Sequence, residues 1–317
     1  RAAPQRAGAI GGLASALFVF SQPVACCAMG RRYDTISFLS DLGLADEHVG
    51  VVKAVVRDLA PHAQVIDLTH AIPSFDVRAG SLALARAIGY VPSGVVMAVV
   101  DAGDRQAVAI EVAGGEGVVI GPDNGLLASA IAMTGGAGRS VILDNPDFQL
   151  VSPGAPVPSR DVFAPVAAHL CNGVDLAELG TLVDADTLLP GVVPLPRDLE
   201  GGAVGVAAEV LWIDRNGNCQ LNIGLDDVAP WGSAEGVRLQ VAAGELTRVA
   251  QRVDRAGGLG PGSVGLMVDG YGLLTLVLDR RSAADELQLA TADQVVVRPL
   301  DEGQQATGLT VPVTLRR

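Results

Sequence analysis

From residue 35 the sequence alternates short, continuous apolar runs with segments whose apolar residues recur at helical spacing. TISFLSDLG, AQVIDLTH and GVVMAVVDAG read as buried strands. HVGVVKAVVRDLAP and VRAGSLALARAIGYVP read as the helices between them, stopped at Pro61 and Pro92. AVAIEVAG, GVVIGPDNG and the helical LLASAIAMTG continue the pattern, with the glycines of GGEGVVIG forming a turn ahead of a strand. Strands that are Val- and Ile-rich throughout have no water-facing side. The alternation therefore predicts an α/β domain whose central, mostly parallel sheet is covered by helices on both faces.

That pattern stops at LLPGVVPLPRDLEGG, residues 188–202, whose proline density reads as a linker. Beyond it AVGVAAEVLWID, CQLNIG, VRLQVAAGELTRVA, VGLMVDG, LLTLVLD and QVVVRPL follow one another with little helix between. These predict a smaller, barrel-like β domain. The expected organisation is an α/β domain over 33–187, the linker 188–202 and a C-terminal β domain over 203–317.

Residues 1–32 fit neither domain. AGAIGGLASALFVFSQPVACC has the apolar core of an export signal behind Arg1 and Arg6, yet organised sequence begins directly after Met29. The reading favoured is a disordered or spurious extension ahead of a start at Met29, with an export signal as the alternative. The run is short for a bilayer span and contains Pro23.

Composition narrows the partners. A net charge of -13 without a Lys/Arg cluster argues against nucleic acid and against anionic membrane surfaces. Cys26, Cys27, Cys171 and Cys219 have neither paired C-x-x-C spacing nor a histidine nearby, so no metal site is expected and a reducing, cytoplasmic setting fits. His48, His62, His70 and His169 lack ligand spacing as well. His62 is expected in a surface loop, His169 as an ordinary helix residue, and His70 as a structural hydrogen-bond partner of Asp67.

Three successive strands run into aspartate: Asp41 in FLSDLG, Asp67 in VIDLTH and Asp101 in VVDAGD. A single such aspartate would be a turn or cap residue. Three at equivalent places, at the strand ends where α/β sheets bind ligands, predict a site rich in acceptors. Carboxylates suit hydroxyls, amines and cations, not phosphates. Phosphate-binding glycine loops and a G-x-S-x-G elbow are both missing from the sequence.

FLSDLGLADEHVGVVKAVV, VIDLTHAIPSFDVRAG, VPSGVVMAVVDAGDR, GPDNGLL, SRDVFAPVAAHLCNG and IDRNGNCQLNI occur in this order. Together, from about Tyr33 onward, they resemble the S-adenosylmethionine (SAM) hydroxide adenosyltransferases, adenosine-forming SAM hydrolases related to fluorinases and chlorinases. The resemblance implies an α/β domain followed by a β domain. It also implies a homotrimer, with SAM bound between the first domain of one subunit and the second domain of the next. Water attacks C5' and methionine leaves; SAM is the substrate, and no cofactor or metal is implied.

By motif, Asp41 matches the residue that binds the ribose hydroxyls, and Asp46 a position near the amino-acid end of the substrate. Phe75 matches an aromatic beside ribose and adenine. Asp214 and Asn218 match residues reaching toward methionine and adenine, and Thr275 and Leu278 positions that border adenine. A polar residue is frequent in the family where Gly270 stands. Asp101 and Arg105 match two members of a water-holding trio of Asp, Arg and His. The third belongs to an H-G-R-D motif that here reads PSRD, with Pro158 for the histidine and Ser159 for the glycine.

The expected catalytic set is therefore Asp101 and Arg105 with Ser159. A sulfonium leaves as a neutral thioether, so no acid is needed; an in-line nucleophile, a dry pocket and one proton acceptor suffice. Arg105 is expected to keep Asp101 ionised. One alternative is a 5'-halo-adenosine synthase, against which Asp101 itself argues. A carboxylate about 4 Å from a halide costs on the order of 4 kcal/mol at an effective dielectric near 20. The other is a SAM- or adenosine-binding protein without catalysis, which Pro158 favours.

Overall fold

A computed structural model describes residues 32–192 and 194–300. The N-terminal extension, with Cys26 and Cys27, lies outside the described residues. The chain divides into two units between residues 192 and 193.

In the first unit the strands are β1 (Thr35–Ser40), β2 (Gln64–Thr69), β3 (Val95–Val99), β4 (Ala107–Val112), β5 (Gly117–Pro122), β6 (Ser140–Ile142) and β7 (Thr181–Val183). They form one sheet in the order β2-β1-β3-β5-β4-β6-β7. β2, β1, β3 and β5 are parallel neighbours; β4 runs against both β5 and β6, and β7 against β6. The sheet is thus mostly parallel, as the alternation implied, with the hairpin strand β4 and the edge strand β7 reversed. The turn Ala113–Gly115 makes the β4–β5 hairpin. β5 passes so close to β3 that a Cβ on Gly121 would lie 2.3 Å from the Ala98 carbonyl oxygen.

The helices are α1 (His48–Leu59), α2 (Val77–Ile88), α3 (Ala128–Met133) and α4 (Ala164–Cys171). α1 buries Val49, Val52, Val55 and Val56 and ends at Ala60, before Pro61. Its apolar stripe packs with α4 over Ile36, Phe38, Met97, Val99 and Ile120. α2 begins where the Asp76 side chain accepts the Ala79 N–H at 2.9 Å, and it packs against α3. Gly80 of α2 lies against Val100 and Leu126. Leu84 of α2 is fully buried, and truncating it to alanine would cost about 2–5 kcal/mol.

An ion-pair network lies on β4 and the segments beside it. Arg139 grips Glu111 through Nε and Nη2 at 2.9 and 2.7 Å and Asp175 through Nη1 at 2.9 Å. The Arg139 hydrogen bonds hold both carboxyls below their ordinary values.

The second unit contains β8 (Arg197–Asp198), β9 (Val206–Ile213), β10 (Cys219–Gly224), β11 (Arg238–Ala243), β12 (Leu246–Val253), β13 (Val264–Val268), β14 (Leu273–Val277) and β15 (Gln294–Pro299), with short helices α5 (Leu225–Val228) and α6 (Ala283–Leu287). VRLQVAAGELTRVA is a hairpin, β11–β12, not one strand. Seven strands close in the ring β9-β10-β14-β13-β12-β11-β15. Alternate residues point inward: Val206, Ala208 and Val210 from β9, Cys219, Leu221 and Ile223 from β10, Leu274 and Leu276 from β14. That period of two is what a filled barrel requires. The proline-rich stretch contributes β8, which pairs with Val206 and Ala207 beyond the part of β9 that β10 covers.

Candidate active site

Three strand-end loops converge on one side chain. β1 and β3 are in register with Ser40 opposite Val99, and the Asp41 N–H donates to the Val99 carbonyl at 3.3 Å. Asp41 Oδ2 then accepts two backbone N–H groups, from Phe75 at 3.0 Å and from Asp101 at 3.3 Å. Both donors sit at positive φ, 66° for Phe75 and 48° for Asp101. That region is uncommon outside glycine and strained for a bulky residue, so it persists only where surroundings enforce it. Asp41 provides that enforcement.

A fourth loop joins from β5. Asn124 Nδ2 donates to the carbonyls of Val100 and Asp101 at 2.9 and 3.3 Å, while its Oδ1 accepts the Leu126 N–H at 3.1 Å. With its N–H held by Asp41 and its carbonyl by Asn124, the Asp101 backbone is clamped from both sides. Its carboxylate is left partly exposed, 3.9 Å from Arg105 Nη2. At that separation and exposure the pair adds little stability. Its use is to set a cation beside a carboxylate at the mouth of the sheet.

The same end carries exposed apolar surface, Phe75 at 76% and Leu44 at 75%. Asp46 is exposed in the β1–α1 loop and accepts the His48 N–H at 3.2 Å. Ser159 is buried on a π-helical turn, Ser159–Phe163, that opens at Pro158. The neighbouring Asp161 is also buried; it accepts the Val157 N–H at 2.7 Å and pairs with Arg160. The structure thus ties Asp41, Phe75, Asp101 and Arg105 together. No hydrogen bond among the described residues links Ser159 to them.

Asp67 departs from the expectation of three equivalent strand-end aspartates. It lies inside β2, opposite Phe38, and its carboxylate pairs with Lys53 of α1 at 2.5 Å. It therefore serves the helix-packing face, not the mouth. Burial alone would raise the Asp67 carboxyl, but hydrogen bonds from Lys53 and His70 outweigh it and hold the group below its ordinary value.

His70 has the structural role expected. It is buried, with Nδ1 2.8 Å from Ser40 Oγ and Nε2 3.1 Å from Asp67 Oδ1. The Nε2 contact is close but not aligned as a hydrogen bond, so the ring edge merely lies against the Asp67 carboxylate there. His62 is half-buried in the turn after α1, with Nε2 3.2 and 3.3 Å from the carbonyls of Tyr33 and Cys171, so it is a tether and not a free surface residue. His169 stacks edge-on against Phe148, and burial lowers its pKa.

In the barrel unit Asp214 organises the turn between β9 and β10. Its Oδ1 accepts the N–H groups of Asn216 and Asn218 at 2.8 and 3.0 Å, and its Oδ2 accepts Asn218 Nδ2 at 2.8 Å. Thr275 opposes Gln220 across β14 and β10, and both donate to Asp269 Oδ2, at 3.2 and 2.5 Å. Asp269 Oδ1 accepts the Tyr271 and Leu273 N–H groups and so shapes the tip that carries Gly270. Leu278 is buried in the barrel core.

Sequence reasoning missed the locking roles of Asn124 and Asp269. Asn124 stands in GPDNGLL, and an asparagine directly after a strand was the available signal. Among the described residues no group of three His, Cys, Asp or Glu could hold a metal, and no helix is long and apolar enough to cross a membrane.

The fold defines a class: a two-unit protein joining a mostly parallel α/β sheet, with Asp41 and Asp101 just past its strand ends, to a closed seven-strand barrel. Residues 36–180 match the SAM hydroxide adenosyltransferase N-terminal domain and residues 208–296 the C-terminal domain. The chain belongs to that family. It is 40% identical over 265 residues to a protein of Salinispora tropica named (R)-S-adenosyl-L-methionine hydrolase, covering 83% of this chain and 97% of that one. A fluorinase of an Actinoplanes species is 26% identical over 197 residues, 53% of this chain and 65% of its own. The crystal structure of an uncharacterised conserved protein from Thermotoga maritima superposes with a TM-score of 0.74 at 28% identity, covering 83% of this chain and 99% of that one.

Proposed function

We propose that this protein hydrolyses SAM to adenosine and L-methionine by attack of water on C5'. The observation that carries the reading is the clamped Asp101, its backbone fixed by Asp41 and Asn124 and its carboxylate beside Arg105. Asp101 orients the water and takes its proton as the new C5'–O bond forms. The C5'–S bond breaks and its electron pair stays on sulfur, giving neutral methionine thioether. Arg105 steadies the carboxylate. Asp41 accepts from the ribose hydroxyls, Phe75 covers ribose and adenine, Asp46 lies toward the amino-acid end, and Ser159 assists at the water.

The reading includes a homotrimer in which Asp214, Asn218, Thr275 and Leu278 of a second copy complete the site. It is supported by exposed Phe75 and Leu44, which leave the mouth in need of a cover. The (R) sulfonium epimer is taken as substrate from the name of the Salinispora tropica relative. A cytoplasmic setting is supported by the free thiols Cys171 and Cys219. A second reading, SAM or adenosine binding without turnover, is favoured by Pro158, which has no proton to exchange.

Incubation of purified protein with (R)- and (S)-SAM, followed by chromatography, tests both readings. Adenosine and methionine from the (R) epimer are expected. Absence of adenosine from wild type, or undiminished turnover in Asp101→Ala, overturns the hydrolase; co-purified intact SAM would point to the binding protein.

A further inference from the structure

The loop bearing Asp41 is held from below by a chain of polar contacts, exposed at Lys53 and buried at His70 and Ser40, that the reaction itself does not use. Lys53 Nζ donates to Asp67 Oδ2 at 2.5 Å, and His70 Nε2 lies 3.1 Å from Asp67 Oδ1. A carboxylate can only accept, so of the two imidazole tautomers the one with its proton on Nε2 suits a ring edge 3.1 Å from Asp67 Oδ1. Nδ1 is then an acceptor, and the Ser40 hydroxyl, 2.8 Å away, must donate to it. With its proton committed, Ser40 Oγ presents lone pairs and accepts the Leu42 N–H at 3.3 Å. The His70 carbonyl accepts the Gly43 N–H at 2.8 Å. The ring itself is fixed edge-on by Phe38, with centroids 4.6 Å apart.

Asp41 is the residue between Ser40 and Leu42. Ser40, on one side, is anchored to the His70 ring; Leu42, on the other, is anchored to Ser40, and Gly43 beyond it to the His70 carbonyl. We infer that His70 is a positioning residue for Asp41: it orders the turn leaving β1 so that the Asp41 carboxylate meets the Phe75 and Asp101 N–H groups and still offers acceptor capacity to a ligand diol. Lys53 and Asp67 set the ring's tautomer. His70 acts only through Asp41 and does not touch substrate.

This rests on the reading of Asp41 as the ribose-hydroxyl acceptor, so the test compares two probes that differ in those hydroxyls. Adenosine and 2',3'-dideoxyadenosine are titrated calorimetrically into wild type, His70→Leu and Ser40→Ala. Wild type is expected to bind adenosine more tightly than the dideoxy analogue. Both variants should lose roughly tenfold or more for adenosine, the scale of one hydrogen bond to a charged group, and change less than about twofold for the analogue. Equal losses for both nucleosides would mean a general structural defect and overturn the proposal, as would unchanged adenosine binding. A wild type that does not distinguish the nucleosides, or binds neither, overturns the underlying reading of Asp41 and the proposal with it. Ser40→Ala removes one atom, so it carries the comparison alone if His70→Leu does not fold.

Discussion

One carboxylate oxygen of Asp41 receives the backbone N–H of Asp101, 60 residues further along the chain, at 3.3 Å. The bond ties the Asp41 side chain to the backbone that carries Asp101, so two strand-end loops, after β1 and after β3, are fastened to each other. Replacing Asp41 with alanine should release the N–H groups of Phe75 and Asp101, both at positive φ. We expect a loss of about 2–3 kcal/mol in denaturant unfolding. Asp41→Asn, which keeps an acceptor oxygen, should lose less.

Asp101→Asn separates charge from backbone shape. Asparagine tolerates the left-handed conformation as aspartate does, so stability should change by less than about 0.5 kcal/mol. Adenosine formation should fall by about 100-fold or more, the usual worth of a general base. Thermal unfolding and a SAM turnover assay on the same preparation check the two halves.

Acid should destabilise the protein in two stages. Burial holds His169 below its ordinary 6.5, so the unfolded chain binds that proton more readily than the native one. Stability is therefore full above that value and falls as pH drops through the native pKa. Asp67, Glu111 and Asp175 are also held low, so their contribution is complete above the ordinary carboxylate range near 4 and is lost below it. Melting temperature against pH should be flat only between about pH 7 and pH 8: it declines below that window, and declines again above it as thiols of the unfolded chain ionise near 9 while buried Cys171 and Cys219 stay protonated. His169→Gln should remove the first acid decline and leave the second.

Cys171 and Cys219 should resist alkylation in the native state. Burial, aided by Asp34 for Cys171 and by Asp214 and Asp285 for Cys219, pushes both thiols up to about 12. Thiolate is the reactive form. Peptide mapping after iodoacetamide treatment should find both unmodified until denaturant is added.

Gly217→Ala should be among the costliest single changes in the barrel unit. Its φ is +78°, and a Cβ there would lie 2.1 Å from Ser282 Oγ and 2.7 Å from the Ser282 Cα. Backbone strain and a clash with main chain together predict a loss of about 2 kcal/mol or more. The measurement is the denaturation midpoint.

The architecture was legible because burial on both faces writes itself into composition. GVVMAVV and GVVIG have no polar side to hide, and α1 announces its stripe in the spacing of Val49, Val52 and Val56. The candidate site was legible only in part. Asp41 and Asp101 stand where apolar runs end, but Asp67 does too, and only pairing register separates it: β2 continues to Thr69 and places Asp67 opposite Phe38. Register depends on contacts between strands far apart in sequence, which one strand's text does not contain. Asn124 was hidden for a related reason. Its carbonyl partners, Val100 and Asp101, lie on the neighbouring strand end, and a turn asparagine looks the same whether or not it bonds across.

The barrel's closing seam has a consequence for how the chain is made. β15 pairs with β9 on one side and β11 on the other, so the ring depends on a strand that leaves the ribosome after all its partners. Until then β9 and β11 each expose an unpaired row of backbone groups, a template for pairing between nascent chains. A chain ending before Gln294 should therefore be stranded in that open state and collect in inclusion bodies, whereas residues 294–300, once released, cover both adhesive borders and leave only the two-residue edge strand β8.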